Sequence, residues 1–363
     1  MESAVEGEPA RWDLGPWLEV DLDALLRNAT TFARRVGVPL LPMVKANGYG
    51  LGAVRVVRAL ESLGPWGYGV ATVAEAEELR RAGIERPIVV FRPFGAAAAD
   101  GYLAIGARPA IGDLGGLDAW TSRGGQPFHL AIDTGMGRGG VPWHDRDQLM
   151  AIAPRLGPGF EGAFTHFHSA DGDESATAAQ WTRFEDALGA LGRRPTLVHA
   201  ANSGAGQWGS RFAGTIARPG IFLYGGKAGS LRPEPVARFV APVCAVTPLR
   251  TGDTVSYGAT FRAAEPADAV TLGAGYADGV RRSLGNVGLV AFDDRLLPIA
   301  GRVTMDLTVV VAPRGTVRVG DRGTFFGGPN DLDAQAERAG TISYELLTAV
   351  GARVARRYQG GTS

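Results

Sequence analysis

Lys45 is the residue of this chain best placed to do covalent chemistry. It is one of only two lysines, with Lys227, in 363 residues. It ends an apolar run at 40–44 and is followed by Ala46-Asn47-Gly48-Tyr49-Gly50. The run reads as a buried strand, and the small residues after it allow a sharp turn. Burial disfavours a charged ammonium, so a lysine at a buried strand end is a candidate amine for condensation with a carbonyl. An ordinary surface lysine on a strand-end loop has the same spacing, and this stretch alone leaves both readings open.

Further reactive residues follow in order: the loop from Asp133 to Arg138, then His166, then Asn202 and Ser203, then Arg218 and Gly220. Each lies where an apolar run stops. A serine hydroxyl and glycine-loosened backbone N–H groups after the last two runs are what a phosphate site needs. An amine and a phosphate cradle in one mouth are the requirements of pyridoxal phosphate (PLP). Taken singly, each has a plainer meaning. Asn202-Ser203 reads equally as a helix cap, and Arg218 before Pro219 as part of an exposed turn. His166 and His168 could suggest a metal, but one cysteine and no HExxH helix give that little support.

The elements that must position these residues have a clear rhythm. Apolar strand-like runs occur at 40–44, 67–71, 87–91, 108–111, 128–132, 160–165, 196–200 and 214–218. Helical segments lie between them: 53–63 stopping at Gly64, 76–82 behind a Thr72/Glu75 capping box, and 175–191. This alternation predicts a (β/α)8 barrel of the TIM type, with a doubly wound open sheet as the competing arrangement. In such a barrel the listed residues converge at the C-terminal strand ends. Before it, 17–22 reads as a strand, and Asp23 as the cap of a helix running through Arg35. From Arg238 onward the pattern becomes short alternating strands separated by Gly, Pro and Asp, with one late helix at 344–357. The expected organisation is a tail at 1–12, a barrel domain at 13–237, and a mostly antiparallel C-terminal β domain at 238–363.

Composition narrows the function. Basic and acidic residues balance at 37 each, so no global field favours nucleic acid or an anionic membrane. Cys244 is the only cysteine, which excludes an internal disulfide and a cysteine-rich metal site. The start of the chain is polar and acidic, and no apolar run is long enough to span a bilayer. A cytoplasmic protein is the expectation.

The motifs together resemble those of the alanine racemase family. The stretch Met43-Val44-Lys45-Ala46-Asn47-Gly48-Tyr49-Gly50 is similar to its PLP-lysine signature. Further matches run along nearly the whole chain: Asp133-Thr134-Gly135-Met136-Gly137-Arg138, Thr165-His166-Phe167, Asn202-Ser203, Arg218-Pro219-Gly220-Ile221, Val255-Ser256-Tyr257-Gly258, Gly275-Tyr276-Ala277-Asp278-Gly279, Met305-Asp306 and Tyr344-Glu345. The resemblance implies that Lys45 carries PLP and acts as one acid/base. It implies that Tyr49, Ser203, the backbone of Gly220 and Ile221, and Tyr344 hold the phosphate, with Asn202 in the same cofactor-binding set. Arg218 would face the pyridine nitrogen and His166 would pack by the ring. Arg138 would reach the phenolic oxygen and the substrate carboxylate. Met305 would help bind that carboxylate, and Tyr276 would narrow the entrance. Tyr257 would be the second acid/base, supplied by the partner in a homodimer.

Those roles suit racemisation, which removes a proton from one face of a carbon and returns one to the other. It needs an acid/base on each face, and Lys45 and Tyr257 are the two implied. Both groups have reference pKa values of about 10, so the site must lower them. The implied activity is interconversion of L- and D-alanine. A racemase-like enzyme for another small amino acid is the alternative, followed by a decarboxylase or aldolase on the same barrel and by a non-catalytic PLP-binding protein. The sequence departs from the family pattern in four respects, counting Gly48 and Leu51 together. Ala131 stands where many members have a carbamylated lysine, Thr304 where a cysteine often precedes Met-Asp, and Gly48 and Leu51 replace a common alanine and histidine. Phe91-Arg92-Pro93-Phe94 is bulky for the end of the third strand.

Overall fold

A computed structural model of the chain describes residues 15–361. The tail expected at 1–12 lies outside the described residues. The chain divides into two compact units, Ala24–Glu234 and a second built from Pro235–Gly361 with the segment ending at Asp23.

The first unit is the (β/α)8 barrel. Strands Tyr68–Val70, Ile88–Pro93, Arg108–Ile111, Phe128–Asp133, Phe160–Phe164 and Leu197–His199 pair in parallel, each with the next. The runs at 40–44 and 214–218 close the ring. Leu41 N–H donates to Ala217 O at 2.8 Å, Met43 N–H to Pro219 O at 2.9 Å, Val44 N–H to Gly69 O at 2.8 Å, and Thr215 N–H to Val198 O at 2.7 Å. Closure leaves no sheet edge, which rules out the open alternative. The helices start where local chemistry says they should. Thr72 and Glu75 form the capping box of helix Val73–Arg81, and Asp173 caps helix Glu174–Ala190. Helix Leu22–Val36 begins one residue before Asp23, so Asp23 sits in its first turn and does not cap it.

In the second unit the long strand Ala237–Leu249 is the hub. It pairs antiparallel with Trp17–Asp21, Ala267–Leu272 and Arg322–Phe326. Two sequence expectations change here. The expected helix at 344–357 is a short helix, Ser343–Thr348, followed by a strand, Ala355–Gln359. That strand pairs in parallel with Trp17–Asp21, so the first strand of the chain joins the β unit. Arg356 and Arg357 are used in contacts of their own. Arg356 donates to the carbonyls of Val350, Gly351 and Val354, and the Arg357 guanidinium lies 4.2 Å from the Trp17 ring centroid.

Candidate active site

The lysine segment is an unusual piece of backbone. Ala46, Asn47, Gly48 and Tyr49 all have left-handed φ, between 53° and 60°. Each non-glycine residue held there costs about 1–2 kcal/mol, so the turn must be fixed from outside. Two side chains fix it. Asn47 Oδ1 accepts from Ala53 N–H at 2.8 Å. Glu75 Oε1 accepts from Ala46 N–H at 2.8 Å, while its Oε2 accepts from Ala71 and Thr72 N–H at 2.7 and 3.1 Å. Sequence reasoning read Glu75 only as half of a capping box. The structure makes it the anchor of the lysine turn as well.

Desolvation lowers the Lys45 ammonium below its ordinary value, and the charges of Arg138 and Arg218 lower it further against an opposing pull from Glu75. Replacing Glu75 by Gln removes that opposing pull. In Glu75→Gln the Lys45 amine is therefore expected to titrate at a lower pH than in wild type, measured by the pH dependence of amine acylation in the cofactor-free protein. An upward move would contradict the assignment.

The eighth strand end lies beside the first. Ser203 Oγ accepts from Gly220 N–H at 2.8 Å and from Phe222 N–H at 3.3 Å. Ile221 N–H meets no protein acceptor among the described residues. The Tyr49 ring stacks on Tyr224, centroids 4.4 Å apart, and Tyr224 donates to Met43 O at 2.8 Å. A Cβ at Gly220 would lie 2.2 Å from the Tyr49 hydroxyl oxygen, so the Tyr49 and Ser203 hydroxyls meet over backbone that only glycine permits. With the Ile221 N–H and the Ser203 hydroxyl as donors, this corner suits a phosphate. Gly220→Ala is expected to displace Tyr49. Overpacking of about 1–3 kcal/mol corresponds to roughly five- to 150-fold weaker PLP binding at about 1.4 kcal/mol per tenfold, measured by fluorescence titration of the cofactor-free protein. Unchanged affinity would remove Gly220 from the cradle.

Arg218 is buried and heavily committed. Its NH1 donates to His199 O and Nδ1 at 2.6 and 2.8 Å, and its NH2 to Thr165 O and Ala200 O at 2.7 and 3.2 Å. Four of its five N–H protons are thus used, and Nε–H is the one left over. Phe91, from the bulky third strand end, and Phe164 lie by the guanidinium at 5.5 and 5.4 Å, while Phe94 packs against Tyr102 and Trp120. Burial lowers the Arg218 pKa to about 9, so it stays charged at neutral pH. Desolvation and the charges of Arg218, Arg138 and Lys45 lower His166 to about 3, so it is neutral.

Gln180, on helix Glu174–Ala190, clamps two strand-end loops. Its amide donates to Thr134 Oγ1 at 3.1 Å and His166 O at 3.2 Å, and accepts from His168 N–H at 3.0 Å. Nothing in the local sequence marks it, because its partners lie on other elements. Asn202 Oδ1 accepts from Ala205 N–H at 3.0 Å, so Asn202 caps the turn that presents Ser203. Lys45, Phe91, Ala131, Met136, Arg138 and His166 border a cavity of about 300 Å³. Arg138 makes no ion pair among the described residues, consistent with the apolar Ala131 nearby.

In the β unit, three further expected residues lie on linked loops. Tyr276 N–H donates to Thr304 O at 2.9 Å and Ala277 N–H to Met305 O at 3.0 Å, while Arg353 bridges Asp278 and Asp306. Ser256 donates to Arg302 O at 2.6 Å, tying the Tyr257 turn to the same loop. Tyr257, Met305 and Tyr276 are 72%, 53% and 44% exposed. Tyr344 lies in the helix Ser343–Thr348 of this unit.

Fold and site define a class: a (β/α)8 barrel enzyme with a lysine of lowered pKa at its first strand end, joined to a β domain. The alanine racemase N-terminal domain model matches residues 20–228 and the C-terminal domain model residues 236–358. Alanine racemase of Acidiphilium cryptum is 36% identical over 94% of this chain and 98% of its own length. That of Limosilactobacillus fermentum is 38% identical over 94% and 97%. The crystal structure of alanine racemase from Bartonella henselae with covalently bound pyridoxal phosphate superposes with a TM-score of 0.87 at 28% identity, covering 95% of this chain and 99% of that one. The chain belongs to the alanine racemase family of PLP-dependent enzymes.

Proposed function

We propose that this protein interconverts L- and D-alanine by a two-base mechanism, with Lys45 of one subunit and Tyr257 of its partner on opposite faces of the substrate Cα. The observation that carries the reading is the barrel mouth, where an amine with a depressed pKa shares one cavity rim with Arg138, and the neighbouring strand end brings Ser203, Gly220 and Tyr49 together. PLP, when bound, withdraws electrons from the substrate Cα and so acidifies its proton. Tyr49, Ser203 and the backbone at Gly220 and Ile221 would hold its phosphate, joined by Tyr344, with Asn202 shaping the turn. Arg218 would offer Nε–H to the ring nitrogen, and its fixed positive charge disfavours protonation there. Neutral His166 would pack by the ring, and Arg138 with the backbone at Met305 would orient the substrate carboxylate.

Lys45 takes or returns the proton on one face, and its depressed pKa raises the neutral fraction of the amine above that of an ordinary lysine. The Tyr257 phenol handles the other face. The exposure of Tyr257, Met305 and Tyr276 on linked loops suits residues that complete a site on a second copy, with Tyr276 narrowing its entrance. Among the described residues no helix is long and apolar enough to cross a membrane.

The test is conversion of L-alanine, and separately D-alanine, by the PLP-loaded protein. Both reactions should end at a one-to-one mixture. Bound PLP without interconversion of alanine would overturn the reading. Ala131 and the cavity beside it favour one second reading, a racemase for another small amino acid, and a higher kcat/KM for serine than for alanine would select it.

A further inference from the structure

Beneath Arg218 the barrel interior holds a line of polar side chains that the chemistry above does not use. His199 Nδ1 accepts from Arg218 at 2.8 Å, His199 Nε2 lies 2.7 Å from His129 Nδ1, and His129 Nε2 lies 3.3 Å from Glu161 Oε2. Arg108 Nε donates to that same carboxylate oxygen at 3.1 Å. The two imidazoles are fully buried, whereas Glu161 and Arg108 sit near the N-terminal ends of their strands and keep some exposure. The backbone is shaped for this line. A Cβ at residue 162 would lie 2.6 Å from His129 Nδ1, so the His129 ring occupies space that only Gly162 leaves.

Counting protons fixes the direction of every bond. A guanidinium can only donate, so His199 Nδ1 must offer a lone pair and His199 must carry its proton on Nε2. That proton points at His129 Nδ1, which must then accept, placing the His129 proton on Nε2. The line can end only on an acceptor, and the Glu161 carboxylate is one. Burial holds both imidazoles below their ordinary values, which agrees with two neutral rings. Desolvation pushes Glu161 up, but hydrogen bonds from His129 and Arg108 outweigh it and leave the carboxyl lowered and ionised.

We propose that Glu161 is a positioning residue for the reaction, acting through His129 and His199 to fix the orientation of Arg218 and keep its Nε–H aimed into the mouth. The inference rests on the reading of Arg218 as the group facing the cofactor's ring nitrogen. Were the line reversed, a His199 N–H would oppose a guanidinium N–H. Arg218 would then have to leave its carbonyl anchors or lose one bond. The floor of the barrel, usually a place for stability alone, is here tied to the mouth.

Imidazole tautomers can be read by long-range 1H–15N correlation on the 15N-labelled full-length protein, with and without PLP. His129 and His199 should both be neutral Nε2–H tautomers at about pH 7 and above, with pKa values held below the ordinary one by burial. An Nδ1–H tautomer on either ring, or protonation in that range, overturns the proposal. This readout needs no turnover. A protein showing both Nε2–H rings that fails to racemise alanine would therefore contradict the proposed function and leave the wire standing. In PLP-saturated protein, Glu161→Leu removes the terminal acceptor and should lower kcat roughly tenfold with little change in KM, the usual scale for losing an outer hydrogen-bond partner. Glu161→Gln keeps an acceptor oxygen and should stay within about threefold of wild type. Wild-type kcat per bound PLP in Glu161→Leu would overturn the positioning role even if its thermal midpoint fell. Should the Leu variant not fold, the tautomers of wild type and Glu161→Gln decide the matter.

Discussion

Lys45→Ala is expected to abolish covalent attachment of PLP and to lower alanine racemisation at or beyond the upper end of the roughly 10²–10⁴-fold that a single general acid–base contributes. Two losses combine: the amine that joins the cofactor and the base on one face of the substrate. The folded state should survive. Lys45 is not one of the residues with positive φ, and the turn after it is held by Glu75 and Asn47, whose bonds go to the backbone at Ala46 and Ala53. Removing the side chain also removes one of three neighbouring cations. That weakens the attraction for an anionic cofactor, but the phosphate corner and Arg218 remain, so PLP should still enter and be lost on dialysis. Absorbance before and after dialysis, with D-alanine production from L-alanine, measures both effects. A variant that keeps PLP through dialysis and racemises at a wild-type rate would remove Lys45 from the chemistry.

Tyr257→Phe is the complementary case. The phenol is exposed on its own unit, so loss of one hydroxyl should leave stability and PLP content unchanged. Interconversion should fall by about 10²–10⁴-fold because one face of the Cα has lost its acid/base. The loss should be lopsided. In deuterated solvent, the enantiomer whose proton faces Lys45 should still exchange, while the other should exchange slowly and neither should invert readily. Equal, undiminished exchange of both enantiomers would exclude Tyr257 as the second base.

How far these predictions were legible in the sequence depends on the reach of each contact. The strand ends carrying Lys45, His166, Ser203 and Arg218 were readable because strand length and apolar runs are local signals. The capping box at Thr72 and Glu75 was readable for the same reason. The second use of Glu75, on Ala46 29 residues away, was not. Gln180 and the His129–His199–Glu161 line were equally hidden, since each is an ordinary polar residue until the barrel closes around it. The error at 344–357 has a similar cause. Ala355, Arg356 and Arg357 favour a helix locally, and only pairing with Trp17–Asp21 makes them a strand. The first strand was seen at the right place, but its partners, more than two hundred residues away, assign it to the β unit.

The central claim is that each working site joins Lys45 of one subunit to Tyr257 of another. Mixing Lys45→Ala with Tyr257→Phe, under conditions where subunits exchange, tests it most directly. Half of the dimers formed at random are mixed, and each mixed dimer regains one of two intact sites. The account thus predicts recovery of about a quarter of wild-type racemase activity from two nearly inactive proteins. No recovery, with mixed dimers demonstrably formed, would contradict it.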